Sequence, residues 1–228
     1  MAQYVIATTK SWNIKNAKML VKKFPLESFR IITERECLTT DLLRELQPRY
    51  VFFPHWSWII PPSIFHTYKC VVFHMTDLPF GRGGSPLQNL IVRGIYDTKI
   101  SAIEVDEGVD TGSVYFKYPI NISKGNADAI LKKISKVVFF EMIPIFLKNT
   151  LVPHPQEGKA VTFKRRTPEQ SEIPDGLTQR QIYDFIRMLD GEGYPSAYKD
   201  IGKERIYFKN ARIVNEIIYA DVELRRYE

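Results

Sequence analysis

The stretch FHMTDLPFGRGGSP, residues 73–86, completes an apolar run and then presents a histidine, a carboxylate, glycines and two prolines. The run CVVFHM predicts a buried strand that delivers His74 at its carboxyl end. Pro79 and Pro86 stiffen the following segment, and its glycines allow the backbone to approach a ligand closely. A histidine titrates near neutral pH and suits general-base catalysis, although a lone histidine at a strand end is more often structural. These residues alone leave both interpretations open.

On both sides of this strand, short apolar runs alternate with helical patterns. Asn13 is expected to cap the first helix, and Pro144 to kink or end a long helix predicted within residues 123–149. The alternation predicts an α/β fold with a doubly wound, mostly parallel sheet, in which ligands bind outside the carboxyl ends of the strands. The predicted strands are QYVIAT, FRIITE, RYVFFP, CVVFHM, KISAIEV and SVYFKYPI, and the shorter helices are IKNAKMLVKKF, TTDLLREL, PPSIFHTY and SPLQNLIVRG.

The composition changes near residue 153, where the proline-rich and charged segment PHPQEGKAVTFKRRTPEQSEIPDG indicates an irregular linker. A helix, TQRQIYDFIRML, follows with Thr178 and Gln181 spaced as a capping box, and an alternating β-rich piece comes after it. We therefore predict one α/β domain at residues 1–155. Residues 156–228 are expected to form the linker and a small C-terminal α+β extension, with one helix and a β-hairpin region.

The net charge of +6 and the pI near 9.2 suit an anionic ligand such as a nucleic acid, nucleotide or phosphate, and equally a merely solvated surface. The basic residues are scattered along the sequence, which weakens the nucleic-acid interpretation. No apolar run approaches the ~20 residues of a membrane span, and the N-terminus lacks a signal-peptide pattern. Cys37 and Cys70 have no metal-ligand spacing and are typical of reduced thiols. We expect a cytoplasmic protein with no membrane partner.

Two further segments carry candidate chemistry. DEGVDTG, residues 106–112, lies between two predicted strands; it is either an acidic turn or the source of a carboxylate, Asp110, that pairs with His74 and supports its imidazolium form. TTKSWN follows the first strand, where helix amides can bind an anion, but it has no dinucleotide or P-loop pattern. HExxH, CxxC and GxSxG are absent, which argues against a zincin, a redox dithiol and an α/β-hydrolase. No metal site is expected.

Taken together, VFHMTDLPFGRGGSP and DEGVDTG resemble the formyltransferase family that uses 10-formyltetrahydrofolate. The resemblance places His74 on the catalytic histidine and Asp110 on the catalytic aspartate of that family. The segment 163–198 is similar to the one that follows the catalytic domain in tRNA and sugar formyltransferases. The further residues that match the motif are Leu78, Pro79, Arg82, Gly83 and Pro86.

One residue departs from the family pattern. Val72 stands where the family has an asparagine, and a valine cannot donate a hydrogen bond to the formyl oxygen. Loss of such a donor typically costs ~10²–10³ in rate. Protonated His74, His55, a backbone amide or water would have to replace it, or the activity has been lost. Asp77, where the family often has leucine, is a second departure.

The resemblance implies an N-formyltransferase that moves a formyl group from 10-formyltetrahydrofolate to a primary amine and releases tetrahydrofolate. His74 would act as the general base, aided by Asp110. The folate would contact the 104–110 loop, the segment WSWIIP and the motif around His74. The predicted folate contacts are Met75, Leu78, Arg82, Gly83, Val105, Asp106, Glu107, Trp56 and Ile60.

The expected acceptor is a nucleotide-linked amino sugar, with UDP as the nucleotide and a pseudaminic-acid precursor as one example. A short tail after residue 176 and the scattered basic residues disfavour nucleic acid. The sugar nucleotide would contact TTKSWN and the residue that follows the third strand, so the predicted contacts are Thr9, Lys10, Trp12 and His55. Two alternatives stay open: a formyltransferase acting on methionyl-tRNA or another small amine, and an inactive folate-binding scaffold. A homodimer is also left open.

Overall fold

The computed structural model describes residues 3–226. Eleven strands and seven α-helices are found among these residues. The strands are β1 Gln3–Ala7, β2 Ser28–Ile32, β3 Tyr50–Phe53, β4 Cys70–His74, β5 Phe80–Gly83, β6 Asp97–Glu104, β7 Val114–Asn121, β8 Val161–Phe163, β9 Ala197–Ile201, β10 Glu204–Val214 and β11 Ile217–Arg226. The helices are α1 Ser11–Lys23, α2 Thr40–Leu46, α3 Pro62–Phe65, α4 Pro86–Ile91, α5 Ala127–Val137, α6 Ile143–Lys148 and α7 Gln179–Leu189.

The central sheet has the strand order β2-β1-β3-β4-β6-β7. Its first four strands are parallel, and β6 joins β4 antiparallel, with His74 opposite Ser101. The strands β1 and β3 are buried almost throughout, as expected for parallel strands covered on both faces. The predicted α/β fold with a mostly parallel, doubly wound sheet is confirmed. Its carboxyl edge carries the ends of β1, β3 and β4 side by side.

A buried network of hydrogen bonds joins two of these strand ends to the first helix. The Thr8 hydroxyl donates to the Pro54 carbonyl at 2.7 Å, and the Asn13 amide donates to the Thr8 hydroxyl at 3.0 Å and to the Pro54 carbonyl at 3.1 Å. The predicted helix cap at Asn13 is therefore wrong: Lys10 precedes the helix, and Asn13 lies inside it. Its side chain satisfies a buried carbonyl that would otherwise lack a partner.

The long helix predicted for residues 123–149 is divided. A π-helical turn at Val138–Met142 separates α5 from α6, and Pro144 lies in the first turn of α6. Proline lacks the N–H that an uninterrupted helix needs, and the wider turn just before it accommodates that loss. The kink expected at Pro144 thus takes the form of a π turn a few residues earlier.

The segment predicted as an irregular linker contains a strand that the sequence does not reveal. Short strand β8 pairs with β5, which belongs to the loop after His74 and was also missed. A β-carbon on Gly83 would lie 2.5 Å from the Phe163 carbonyl oxygen, so only glycine permits this pairing. Both strands have fewer than five residues, too short for an alternating pattern to emerge.

The C-terminal part contains α7 and a three-stranded sheet in the order β11-β10-β9. The predicted capping box at Thr178 and Gln181 is present. Within α7, Arg187 is almost fully buried, donates to Asp184 at 2.6 Å and also donates to the carbonyls of Ile122 and Gly125. These bonds compensate the burial of a guanidinium, which is costly when unpaired.

The chain forms two compact units. One contains the chain up to Arg82, Lys99–Ile120 and Lys132–Val161; the other contains Gly83–Thr98, Asn121–Leu131 and the chain from Thr162 onward. His74 and the DEGVDTG loop belong to the first unit, and the three-stranded sheet belongs to the second. The predicted boundary between two domains at residues 155/156 stays a prediction. The first and last residues of those domains, 1–2 and 227–228, lie outside the described part of the chain. No helix within residues 3–226 is both long and apolar enough to cross a membrane.

Candidate active site

His74 ends β4, and only 9% of its side chain is exposed. Its Nε2 lies 2.8 Å from the Gly81 carbonyl oxygen, and its Nδ1 lies 3.4 Å from Oδ2 of Asp110. The structure therefore brings together the two residues that the sequence predicts as catalytic, across 36 positions of the chain (110 − 74). Asp110 is also largely shielded, with 19% of its side chain exposed.

The two partners of His74 orient its ring. A carbonyl oxygen and a carboxylate oxygen both accept hydrogen bonds and cannot donate them. Asp110 therefore lies where it can hold the imidazole in place and stabilise a positive charge that forms on it.

The backbone of Asp110 is held by a residue that the sequence analysis missed. Asp110 has a positive φ of 55°, which is uncommon for a residue with a side chain. The Gln156 amide donates to the carbonyls of Asp110 at 2.9 Å and Gly112 at 2.8 Å, and its oxygen accepts from Arg82 Nε at 3.1 Å and Nη2 at 2.8 Å. Gln156 belongs to the predicted linker, and no single-sequence signal distinguishes it.

The glycines and the first aspartate of DEGVDTG shape this loop. A β-carbon on Gly112 would lie 1.8 Å from the Glu104 carbonyl oxygen, so this position admits only glycine. Asp106 accepts hydrogen bonds from the Thr111 hydroxyl at 2.7 Å and from the Gly108 amide at 3.2 Å. The segment is therefore an acidic turn in which Asp106 folds the loop that presents Asp110, and the catalytic role of Asp110 stays a prediction.

The loop after His74 is fixed on its other side by β6 and β7. Buried Ser101 donates to the Thr76 carbonyl at 2.7 Å and accepts from the Leu78 amide at 3.3 Å. The Asp77 carboxylate lies 2.5 Å from Lys117 Nζ and 3.0 Å from Lys99 Nζ. Burial raises the pKa of Asp77, but the two lysines outweigh it and hold this pKa below its ordinary value. The unusual Asp77 therefore anchors the loop.

The predicted folate contacts occupy several different environments. Trp56, Val72 and Val105 pack, partly buried, against one apolar cluster that contains Ile60. The side chain of Leu78 is fully buried, and Glu107 is exposed and bonded to His66 at 2.9 Å, which lowers the pKa of Glu107. Arg82 contacts Gln156, Met75 is half-buried directly after His74, and Gly83 is explained by its strand pairing. Folate binding by all of these residues stays a prediction.

A second group forms around Trp12. Lys10 Nζ lies 5.4 Å and Lys132 Nζ 5.7 Å from the indole centroid, and the His55 ring stands edge-on at 6.3 Å. Within the described residues, the buried Trp12 Nε1 has no hydrogen-bond partner. Burial, with a smaller contribution from the Lys10 charge, lowers the pKa of His55 to about 4. His55 is therefore a neutral donor at pH 7, and Lys10, Trp12 and His55 are neighbours as predicted, while Thr9 lies half-buried beside them in the chain.

In the part of the chain that the structure describes, no group of three or more histidine, cysteine, aspartate or glutamate side chains is placed to hold a metal ion. Cys70 is buried, and burial raises the pKa of its thiol to about 12, with Glu104 adding to the effect. This thiol is inert at neutral pH.

Two protein-family models match the chain. The first, described as formyl transferase, matches residues 6–138, which include His74 and Asp110. The second, described as the C-terminal domain of methionyl-tRNA formyltransferase, matches residues 168–225. The resemblance to a formyltransferase is thereby confirmed over both parts of the chain.

Individual relatives agree with these models. A solved structure of methionyl-tRNA formyltransferase from Clostridium thermocellum is 53% identical, covers 100% of both chains and superposes with a TM-score of 0.94. A curated methionyl-tRNA formyltransferase from Thermodesulfovibrio yellowstonii is 27% identical over 196 residues, 82% of this chain and 63% of its own length. The chain thus spans less than two thirds of that curated relative. A 4-N formyltransferase from Francisella tularensis has 15% identity, a TM-score of 0.67 and coverage of 87% and 92%, and it supports the fold alone.

These relatives overturn the predicted acceptor. The expectation of a UDP-linked amino sugar, such as a pseudaminic-acid precursor, and of no nucleic-acid partner is wrong, because the tRNA enzymes match far better than the sugar enzymes. The argument from a short tail failed because residues 168–225 still match the C-terminal domain of the tRNA enzymes. Lysines that are scattered in the sequence can still lie near one another, because helices distant in sequence meet: Asn16 on α1 bonds Ser135 on α5 at 2.8 Å.

Proposed function

Because the chain belongs to the formyl transferase family, we propose that it transfers a formyl group from 10-formyltetrahydrofolate to the amine of methionyl-tRNA. The observation that supports this acceptor most strongly is the 53% identity to the Clostridium thermocellum methionyl-tRNA formyltransferase over the whole of both chains. The match of residues 168–225 to the C-terminal domain of such enzymes adds independent support.

The residues around the site fit a folate. The segment WSWIIP leaves apolar side chains uncovered, with Trp58 37% and Ile59 91% exposed, while Trp56 packs against the cluster that contains Ile60. An exposed apolar patch of this kind is typical of a ligand-binding surface. Bound 10-formyltetrahydrofolate would supply the formyl carbon and, at N10, the nitrogen that leaves.

His74 would move the protons of the transfer. Acting as the general base, the ring would take up the proton that the attacking amine must lose, through the nitrogen that does not face Asp110, and would pass that proton to the departing folate nitrogen. One bond from the formyl carbon to the acceptor nitrogen forms as the bond to the folate nitrogen breaks, so the ring returns to its starting state. Asp110 keeps the ring oriented and stabilises its charge.

The valine at position 72 bears on the rate of this reaction. Its side chain packs, partly buried, against the apolar cluster and cannot donate a hydrogen bond to the formyl oxygen. Protonated His74 and the neutral N–H of His55 are the side-chain donors predicted to replace the asparagine, and a positively charged donor stabilises a developing oxyanion best. An enzyme slower than relatives with asparagine is the expected consequence. A folate-binding protein without transferase activity is the second candidate function, and it rests on this same valine.

Incubation of the protein with 10-formyltetrahydrofolate and methionyl-tRNA tests the proposal. We expect formylmethionyl-tRNA and an equal amount of tetrahydrofolate, and a rate loss of ~10²–10⁴ in His74→Asn. Asp110→Asn should retain the fold and also lose most activity. Folate binding without any product would support the inactive scaffold, and unchanged rates in both variants would refute the assignment of the site.

The surroundings of the reaction stay at the level of proposals. We place the enzyme in the cytoplasm, in keeping with two cysteines, Cys37 and Cys70, that are both unpaired thiols. A homodimer stays a prediction, for which native mass spectrometry is the direct measurement.

A further inference from the structure

Helix α1 presents a row of lysines on one face. The helix contains no acidic residue in its first turn, and its sequence, SWNIKNAKMLVKK, has none elsewhere. Lys15, Lys18 and Lys22 are exposed and spaced three and four residues apart, so they share one side of the helix. They line a surface groove of about 380 Å³ together with Ser11, Ile14 and Met19. We call Lys15, Lys18 and Lys22 the α1 lysine strip.

The charges of the strip are not neutralised within the protein. Among residues 3–226, no carboxylate forms an ion pair with Lys15, Lys18 or Lys22. A second groove of about 520 Å³ continues the surface along Met19, Lys22, Lys23 and Phe140. Like charges this close repel one another, so a row without carboxylates favours an anionic partner.

The neighbouring helix α5 extends the same positive surface. The hydrogen bond between Asn16 and Ser135 joins the two helices, and Lys132 lies over the Trp12 ring at the beginning of α1. Lys136, one turn further along α5, is exposed. Exposed lysines are therefore present on both of these adjoining helices.

The position of the strip relates it to the candidate active site. Helix α1 begins four residues after the end of β1, at the same edge of the parallel sheet where β4 ends in His74. Its thirteen residues extend ~20 Å away from that edge at 1.5 Å per residue. Successive lysines of the strip are thus ~4.5–6 Å apart along the axis, a spacing of the same order as that of consecutive phosphates in a nucleic-acid strand.

We propose that the α1 lysine strip binds backbone phosphates of the RNA strand that carries the aminoacyl group, and so guides its end to His74. This inference rests on the proposed function, because it assumes an RNA acceptor. Each ammonium neutralises one phosphate and releases a counterion, and these contacts carry no base specificity. The strip therefore contributes to affinity and association rate but not to the chemical step.

The test compares two triple variants of equal net charge. K15Q/K18Q/K22Q removes the strip, and K124Q/K148Q/K159Q removes three exposed lysines outside both the strip and residues 168–225. Binding of initiator methionyl-tRNA is measured as a function of salt concentration, and formylation is measured with methionyl-tRNA and with methionyl-adenosine, an acceptor without neighbouring phosphates. Circular dichroism checks that both variants are folded.

The strip variant should bind tRNA roughly tenfold more weakly or worse at ~0.1 M salt, and the slope of log affinity against log salt should fall by about 2 to 3. Its rate with methionyl-adenosine should equal that of the wild type, as should every property of the control variant. Equal losses in the two variants would show an effect of net charge only and overturn the inference. If the wild type formylates tRNA and the strip variant binds tRNA with unchanged affinity and salt dependence, the inference is overturned too. A wild type that formylates no RNA would instead refute the proposed function.

Discussion

Substitution of Gln156 should separate the positioning of Asp110 from the stability of the fold. Gln156 makes four hydrogen bonds: two donated to the carbonyls of Asp110 and Gly112, and two accepted from Arg82. A neutral hydrogen bond contributes about 0.5–1.5 kcal/mol and one to a charged group about 1.5–3 kcal/mol, so the set contributes several kcal/mol at most. Because Gln156 is only half-buried, water replaces some of these hydrogen bonds in the variant. Gln156→Ala should therefore lower the unfolding free energy by about 2–3 kcal/mol.

The matched variant Gln156→Glu keeps the acceptor for Arg82 and removes both N–H donors. A carboxylate oxygen would then face the carbonyls of Asp110 and Gly112 at distances that are now 2.9 and 2.8 Å. The strained backbone of Asp110 should relax, and the contact of its carboxylate with His74 should lengthen beyond 3.4 Å. A displacement of about 1 Å at a catalytic group costs up to ~10²-fold in rate.

Initial rates of methionyl-tRNA formylation and urea unfolding curves measure the two effects. For Gln156→Glu we expect kcat to fall by ~10–10²-fold while KM for the folate changes little, since Gln156 orients Asp110 and is not itself predicted to touch the ligand. Gln3→Glu, at another half-buried glutamine whose side chain forms no hydrogen bond among residues 3–226, is the charge-matched control and should change neither quantity. A wild-type kcat in both Gln156 variants would refute the claim that this amide positions the site.

Three further predictions follow from pKa values. Asp77→Asn should lower the free energy of unfolding by about 1 kcal/mol at pH 7, because it loses the ion pair with Lys117. Since the pKa of Asp77 is depressed in the folded state, the difference in Tm between variant and wild type should vanish as the pH falls through that pKa. A difference that stays constant with pH would contradict this prediction. His55, with its pKa lowered to about 4, stays neutral in the folded protein while it gains a proton in the unfolded chain. The wild type should therefore lose stability between pH 6.5 and 4 relative to His55→Gln. An NMR titration that shows the His55 ring protonating near pH 6.5 would disprove this. At pH 8 a maleimide should modify exposed Cys37 and not Cys70, whose pKa is about 12; mass spectrometry of the native protein should show one adduct, and a second adduct on Cys70 would be the contrary result.

The sequence predicted most of the fold because its elements carry strong local signals. The buried parallel strands are continuous apolar runs, and the capping box at Thr178 and Gln181 marks the start of α7. The signals fail where a contact decides the structure. Strands β5 and β8 form because Gly83 lets the two segments approach. Asn13 does not cap the helix because its side chain bonds Thr8 and Pro54 in the interior.

The candidate site shows the same division. His74 and Asp110 are identified by the motifs that contain them, but their supporting residues are not. Gln156 and Ser101 have ordinary sequence surroundings, and only the folded chain places them beside the loops that they hold. The acceptor was predicted wrongly because the sequence alone does not reveal that residues 168–225 match the C-terminal domain of methionyl-tRNA formyltransferase. Local patterns identify the chemistry of a residue, whereas its partners depend on tertiary contacts.

The central claim is that His74, paired with Asp110, moves the protons as a formyl group passes from 10-formyltetrahydrofolate to methionyl-tRNA. A single-turnover experiment with excess enzyme, 10-formyltetrahydrofolate and methionyl-tRNA measures this step directly, with Asp110→Asn alongside. The account predicts one formyl group transferred per methionyl-tRNA by the wild type and a rate at least ~10²-fold lower in the variant. Equal rates in the two proteins, or folate bound with no formylmethionyl-tRNA formed by the wild type, would contradict it.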